Sequence, residues 1–396
     1  MKHTIHTGDV ANILPTLDAD SFDAVLCDPP YGLNFMGKKW DHGVPSKEVW
    51  AEVLRVVKPG AHVMAFGGTR TFHRLTCAIE DSGFAIRDCL SWLYGSGFPK
   101  SHNVSKAIDK AAGVERETGP VDPARAGRLV NQRGDYDTDA GWSAGSRKVT
   151  IDPPATDAAK TWQGYGTALK PAWEPVILAM KATDGTFAAN ALEHGVAGLN
   201  IDGSRIPATD KANFPAGTVS QTERVFGGGS GSYADRPRTE DKNTSGRWPA
   251  NLILDEEAGA ALDAGQPVGK STARVGARTG KDAARYGSFS GQGSVSMGHS
   301  DSGGPSRFFY CAKAPKKERG DSKHPTLKPL SLTEYLAGML LPPPHADGTP
   351  RRILVPFSGA GSEMIGCLRA GWDEVVGIEM DPQYVADAEE RITELA

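Results

Sequence analysis

Cysteine is scarce in this chain, and its placement excludes two kinds of scaffold. The five cysteines, Cys27, Cys77, Cys89, Cys311 and Cys367, stand far apart and form no CxxC pair. That spacing argues against a structural zinc site and against a disulfide framework; buried thiols in a reducing cytosol are expected instead. Long apolar runs are missing too. No stretch approaches the roughly 20 residues of a membrane span, and the opening MKHTIHTGDV lacks the apolar core of a signal peptide. A soluble, intracellular protein with no membrane partner is expected. Nor is there a strong excess of either charge: the formal net charge is −4, which gives no global sign of a polyanionic partner.

Glycine and proline are abundant instead, 47 and 27 of 396 residues. That is too many for an all-helical protein and implies long irregular stretches, while the length allows a large buried core. Charge is uneven. Between Arg205 and Lys323 there are 18 Lys+Arg against 13 Asp+Glu, a mildly basic middle on an acidic remainder. Such a region suits a phosphate-facing surface or a solvated loop equally well.

The opening third alternates strand and helix. Apolar strands are legible at Thr4–Thr7, Phe22–Cys27, His62–Phe66 and Leu90–Tyr94, with helical patterns at Ser46–Val57 and Thr71–Asp81 between them. This alternation predicts a parallel sheet with helices on both faces. Residues 113–170 are rich in Gly, Asp and Arg and read as a flexible insertion. A strand at Pro175–Met180 and a helix at Thr186–His194 follow. Residues 206–306 are Gly/Ser-rich, interrupted by a short apolar piece at Trp248–Leu254, and read as irregular insertion with no packed domain of its own. Order resumes at Arg307–Lys313. A helix at Pro329–Leu341 ends at the prolines of 342–344, and a βαβα unit closes the chain at Ile353–Pro356, Ser362–Ala370, Glu374–Glu379 and Pro382–Leu395.

Two motifs carry chemistry. The first is the turn PFSGAGSE after the first C-terminal strand, where Phe357, Ser358, Gly359 and Gly361 bend the backbone sharply at a helix N-terminus. Glu379 ends the next strand, 20 residues beyond Gly359, where a carboxylate accepts hydrogen bonds from ribose hydroxyls. The third glycine of a GxGxxG fingerprint is absent, which favours a nucleoside without phosphate, such as S-adenosylmethionine, over a dinucleotide. The second motif is Asp28-Pro29-Pro30-Tyr31 at the carboxyl end of the second strand. Ligands bind at that rim of an open α/β sheet, and the prolines stiffen the turn while leaving its carbonyls free.

DPPY near the start, with FxGxG near the end, resembles the permuted beta class of amino-methylating DNA methyltransferases, in which the catalytic half precedes the cofactor half. The likeness covers roughly 1–112, 160–205 and 307–396, and the stretches GSGFPKSHNVSKAID and GTALKPAWEPVILA look like those of phage and prophage members. It implies a Rossmann-like, seven-stranded, circularly permuted α/β sheet with long irregular insertions. The catalytic half occupies 1–205, a variable and possible target-recognition insertion 206–306, and the cofactor half 307–396. Permutation is tolerable because the termini are then neighbours at the surface. The resemblance also assigns Asp9 to the cofactor adenine and His324, Thr326 and Lys328, in HPTLKP, to its methionine end. Double-stranded DNA is the implied partner, in a bacterial or phage-infected cytoplasm; a homodimer and a cognate restriction endonuclease are further partners found in the family.

The residue types suit that chemistry. An exocyclic amino group is a poor nucleophile because its lone pair is delocalised into the ring. The Asp28 carboxylate and the Pro29 carbonyl, accepting its two N–H bonds, favour a pyramidal nitrogen that attacks a sulfonium methyl in line. Tyr31 offers a face for an extruded base. Adenine N6 is the expected target, because Ser in place of Asp28 would favour the alternative, cytosine N4. Methylation at cytosine C5 requires a nucleophilic cysteine, typically in a Pro-Cys dipeptide, and the chain has no such dipeptide. A protein-amide methyltransferase would carry Asn first in the turn, and an NAD-linked oxidoreductase would carry the third glycine. A DNA-binding protein without activity is disfavoured by intact motifs. Lys270, Arg274, Arg278, Lys281 and Arg285, interleaved with Tyr286 and Phe289, are the candidate DNA contacts.

Overall fold

The second strand, FDAVLC, is apolar on both faces except for Asp23, as a strand covered on both sides must be. In the computed structural model, which describes residues 2–33, 42–95, 97, 99, 101–117, 152–207, 246–270, 274–275, 295–296, 302–312 and 327–396, it lies mid-sheet. The strands of that sheet are β1 (Lys2–Thr7), β2 (Phe22–Cys27), β3 (Val57–Phe66), β4 (Ala85–Leu93), β5 (Trp173–Met180), β6 (Leu252–Asp255), β7 (Tyr310–Ala312), β8 (Arg352–Pro356) and β9 (Glu374–Glu379). Their spatial order is β1-β9-β8-β2-β3-β5-β4-β6-β7. Every neighbouring pair is parallel except the two that involve β5, which runs antiparallel to both β3 and β4.

The helices are α1 (Val10–Ile13), α2 (Lys47–Val56), α3 (Phe72–Asp81), α4 (Val104–Ala111), α5 (Asp157–Thr161), α6 (Phe187–His194), α7 (Glu256–Asp263), α8 (Leu330–Leu340), α9 (Ser362–Ala370) and α10 (Pro382–Leu395). Alternate side chains of the central strands feed two cores. Ala24, Leu26, Met64 and Phe66 pack with Leu332, Leu336, Ile365 and Leu368 of α8 and α9. Val25, Cys27, Val63 and Ala65 pack with Trp50, Val53, Leu75 and Ile79 of α2 and α3. α8 and α9 meet closely at Gly366, where a Cβ would come within 2.4 Å of Thr333 Oγ1 and 2.6 Å of the Thr333 carbonyl carbon.

Two features depart from the sequence expectation. The first seven strands in spatial order make the expected sheet, but β6 and β7 extend it to nine. β6 and α7 come from the stretch read as irregular insertion; β6 pairs with β4 through Trp92↔Ile253 and with β7 through Tyr310↔Ile253. A four-residue apolar segment among polar residues shows too few alternations to reveal a strand. The second departure is that residues 96–172 form a compact unit separate from 1–95 plus 173–396. In it the buried Asp109 accepts hydrogen bonds from the backbone N–H groups of Ala155 and Thr156, the Thr156 hydroxyl and the Arg116 guanidinium, joining α4 to the start of α5. Among the described residues, no helix is long and apolar enough to cross a membrane.

Candidate active site

Sheet register brings the two motifs to one rim. β2 pairs with β8 through Val25↔Leu354, β8 with β9 through Pro356↔Ile378, and β9 with β1 through Glu379↔Thr7. Parallel strands end together, so the turns beginning at Asp28, Phe357, Met380 and Gly8 leave the sheet side by side, neighbours about 4.8 Å apart along the ladder. The antiparallel β5 delivers its amino end to the same rim, with Val176 opposite Phe66, and so adds Glu174.

In the glycine turn, Phe357, Gly359 and Gly361 all take positive φ (62°, 50° and 80°). A non-glycine residue held there marks local strain, tolerated because the surroundings over-determine it. The buried Ser358 donates its N–H to the Ile378 carbonyl at 2.9 Å. The Gly359 N–H donates to Glu379 Oε2 at 2.9 Å and the Asp381 N–H to Oε1 at 2.8 Å. Burial raises the Glu379 carboxyl above its ordinary range, and these amides oppose the rise. With the Met380 N–H also bonding this carboxylate, one of its lone-pair sites is left for a ligand hydroxyl. Asp9 is exposed and caps α1, accepting the Ala11 N–H at 2.8 Å, and the Gly8 N–H donates to the Glu379 carbonyl at 2.8 Å. From α10, the buried Arg391 guanidinium donates to the Ala360 carbonyl and to Ser362 Oγ, bracing the turn from behind.

The proline turn meets a lysine from the far end of the chain. Lys328 Nζ lies 2.9 Å from Asp28 Oδ2, 3.0 Å from Glu174 Oε2 and 3.0 Å from the Tyr31 hydroxyl, three partners for three donors. Tyr31 donates to Asp28 Oδ1 at 2.7 Å; its contact with Glu174 Oε2 is longer, 3.1 Å, and one hydroxyl proton serves only one acceptor at a time. The ammonium also lies 4.8 Å from the Phe66 ring centroid, within cation–π range. Burial alone would lower the Lys328 pKa, but the Asp28 and Glu174 carboxylates outweigh it and hold the amine well above its ordinary value. The Tyr31 hydroxyl is driven strongly upward by burial and by the same two carboxylates. Glu363, in the first turn of α9, is 4% exposed, and its Oε1 has no hydrogen-bond partner. Burial and the Asp28 charge push its carboxyl up to about 7, against the pull of Lys328 and Arg391.

Asp9, Phe357, Ser358, Gly359, Gly361 and Glu379 thus gather on one side of the rim and Asp28–Tyr31 on the other. Lys328, which the resemblance assigns to the methionine end of the cofactor, is engaged by the proline turn. His324 and Thr326 lie outside the described residues, as do Arg278, Lys281 and Arg285. The backbones of Lys270 and Arg274 lie in two-residue strands paired with Ser302–Gly303 and Val295–Ser296. Sequence reasoning missed Glu174, Glu363 and Arg391. An acid opening an apolar strand and an acid in a helix's first turn both have ordinary local explanations, so neither stands out without the fold.

The family model described as DNA methylase, of the N6/N4 type, matches residues 22–390. The chain belongs to this DNA methylase family. S-adenosylmethionine, the cofactor expected from the glycine turn, is the cofactor of the family. The type II methyltransferase M.HindIII of Haemophilus influenzae is 24% identical over 246 residues, 50% of this chain and 65% of that protein, so the chain spans just under two thirds of its length. Among solved structures, an M1.HpyAVI–SAM complex aligns at 14% identity over 98% of this chain and 99% of that one, with a TM-score of 0.39. The cytosine-N4-specific PvuII DNA methyltransferase aligns at 13% identity over 100% and 91%, with a TM-score of 0.41.

Proposed function

We propose that this protein is a site-specific DNA methyltransferase of the permuted beta class, DPPY type, transferring a methyl group to the exocyclic amino group of a flipped base, adenine N6. One observation carries the reading: Asp28 follows β2, the strand paired with β8, which leads into the glycine turn, so a carboxylate and a nucleoside cradle share one rim. The cradle fits the cofactor. Glu379 offers a remaining acceptor site to a ribose hydroxyl, the turn from Phe357 to Gly361 presents backbone, and Asp9 stands at the adjacent strand end. S-adenosylmethionine, when bound, supplies an electrophilic sulfonium methyl.

The remaining work falls to the chain's own residues. Asp28 and the Pro29 carbonyl accept the two N–H bonds of the target amine and localise its lone pair toward the methyl. Pro30 stiffens the turn, and Tyr31 orients Asp28 through its hydroxyl while its ring offers a stacking face worth about 1–3 kcal/mol. Lys328 and Glu174 hold both groups in register. No covalent enzyme intermediate is required.

Asp28, in place of the Ser that would favour cytosine, supports adenine; cytosine N4 is the rival, since it presents the same geometry. Double-stranded DNA is the substrate. Lys270, Arg274, Arg278, Lys281 and Arg285 are proposed to contact it and to help choose the sequence. Expression in a methylation-free host followed by modification-sensitive sequencing tests the proposal, giving base, position and recognition site together; unmodified DNA would refute it. Deleting 266–304 tests the basic segment, which is excluded if specificity and the salt dependence of DNA binding stay unchanged.

A further inference from the structure

We propose that Glu363 is a cofactor-recognition residue whose buried carboxylate meets the positive charge at the methionine end of S-adenosylmethionine. The inference rests on the reading of the rim as a methyl-transfer site and gives a role to the last residue of PFSGAGSE, to which the sequence assigned none.

Three carboxylates, Asp28, Glu174 and Glu363, interact with the single ammonium of Lys328, whose close contacts go to Asp28, Glu174 and Tyr31. Glu363 is left over. Among the described residues the Cys27 and Cys367 thiols also sense it, burial and then its charge raising their pKa values, as does Arg391, whose guanidinium donates to the Ala360 carbonyl and Ser362. A carboxylate buried to 4% exposure with an unpartnered oxygen is costly in the free protein. It stands two residues past Gly361, in the first turn of the helix that follows the glycine turn, and its charge interacts with Asp28 and Lys328 at the same rim. A cation arriving there repays the desolvation; a neutral nucleoside does not.

The consequence is a linked proton. Burial and the Asp28 charge push the Glu363 carboxyl up to about 7, so part of it carries a proton near neutral pH in the free protein. A bound cation favours the carboxylate, so binding expels the proton to buffer. Both the sulfonium and the α-ammonium of the cofactor carry that charge, and ligands separate them. S-adenosylhomocysteine keeps only the ammonium, and 5′-methylthioadenosine has neither.

The experiment is titration calorimetry at pH 7.0 on the full chain, in two buffers of different ionisation enthalpy. S-adenosylmethionine should release a measurable fraction of a proton per site, and 5′-methylthioadenosine should release none. Release with S-adenosylhomocysteine identifies the ammonium as the charge; release with S-adenosylmethionine alone identifies the sulfonium. Glu363→Gln should abolish the release and weaken S-adenosylmethionine roughly ten- to hundredfold, leaving 5′-methylthioadenosine unchanged. Glu363→Asp should keep a linked proton. Binding and methyl transfer without proton release, or release undiminished in Glu363→Gln, overturns this inference alone. No binding of S-adenosylmethionine to the wild-type chain overturns it together with the proposed function.

Discussion

Lys328 Nζ lies 2.9 Å from Asp28 Oδ2 and 3.0 Å from Glu174 Oε2, so one buried ammonium joins a carboxylate from the first parallel turn to one from the antiparallel strand. Three side chains from distant parts of the chain are fixed by a single charge. Removing it leaves two carboxylates facing each other, which is worse than removing the whole group. Lys328→Met is therefore expected to destabilise the protein by about 3–5 kcal/mol. Adding Glu174→Gln should recover part of the loss, and a urea-denaturation double-mutant cycle measures the coupling. Strict additivity of the two changes would show that the charges act independently.

Asp28→Ala should reduce methyl transfer by at least about 10²-fold, the scale of losing one preorganised hydrogen-bonding group. The glycine turn and Glu379 are untouched, so cofactor affinity should hold to within a few-fold. Single-turnover transfer and equilibrium binding, measured on the same preparation, check both. Retained turnover would remove Asp28 from the chemistry.

Gly361→Val acts on stability as well as on binding. The position has φ +80°, and a Cβ there would lie 3.0 Å from Ala388 Cβ and 3.3 Å from Ala388 Cα on α10. The close approach is thus to a helix of the protein's own, where the sequence alone points to a ligand. A loss of about 1–3 kcal/mol is expected, together with weaker cofactor binding because the turn shifts. Thermal unfolding reports the first effect and calorimetry the second.

Glu363 makes stability depend on pH in a direction opposite to that of a paired carboxylate. Its folded-state carboxyl titrates at about 7, above the ordinary 4.5 of an unfolded chain. Between those values the folded state binds more protons than the unfolded one, so its contribution to stability falls as pH rises through the window and is flat outside it. Glu363→Gln removes the slope. The variant should match wild type at about pH 4 and exceed it at pH 8, read from urea midpoints; parallel curves would place the titration elsewhere.

Much of the architecture was legible because its signals are local. Phe22–Cys27, Ser362–Ala370, Glu374–Glu379 and Pro382–Leu395 have the bounds that composition suggests. Asp381 caps the last helix with Pro382 in its first turn, and proline follows the end of α8. β6 was hidden because its partners, β4 and β7, are remote in sequence and four residues carry little periodicity.

By itself, the sequence determined how the turns at the sheet rim are built: glycines where positive φ is required, prolines that stiffen the turn after β2, and acids at strand ends. These properties belong to single residues and their immediate neighbours. Only the tertiary structure decided which side chains meet. The antiparallel run of β5 turns Glu174 from a strand-opening acid into a partner of Lys328, and burial turns Glu363 from a helix-start acid into an unpaired one. Desolvation and charge pairing are set by what surrounds a residue in space, and at this rim those surroundings come from opposite ends of the chain.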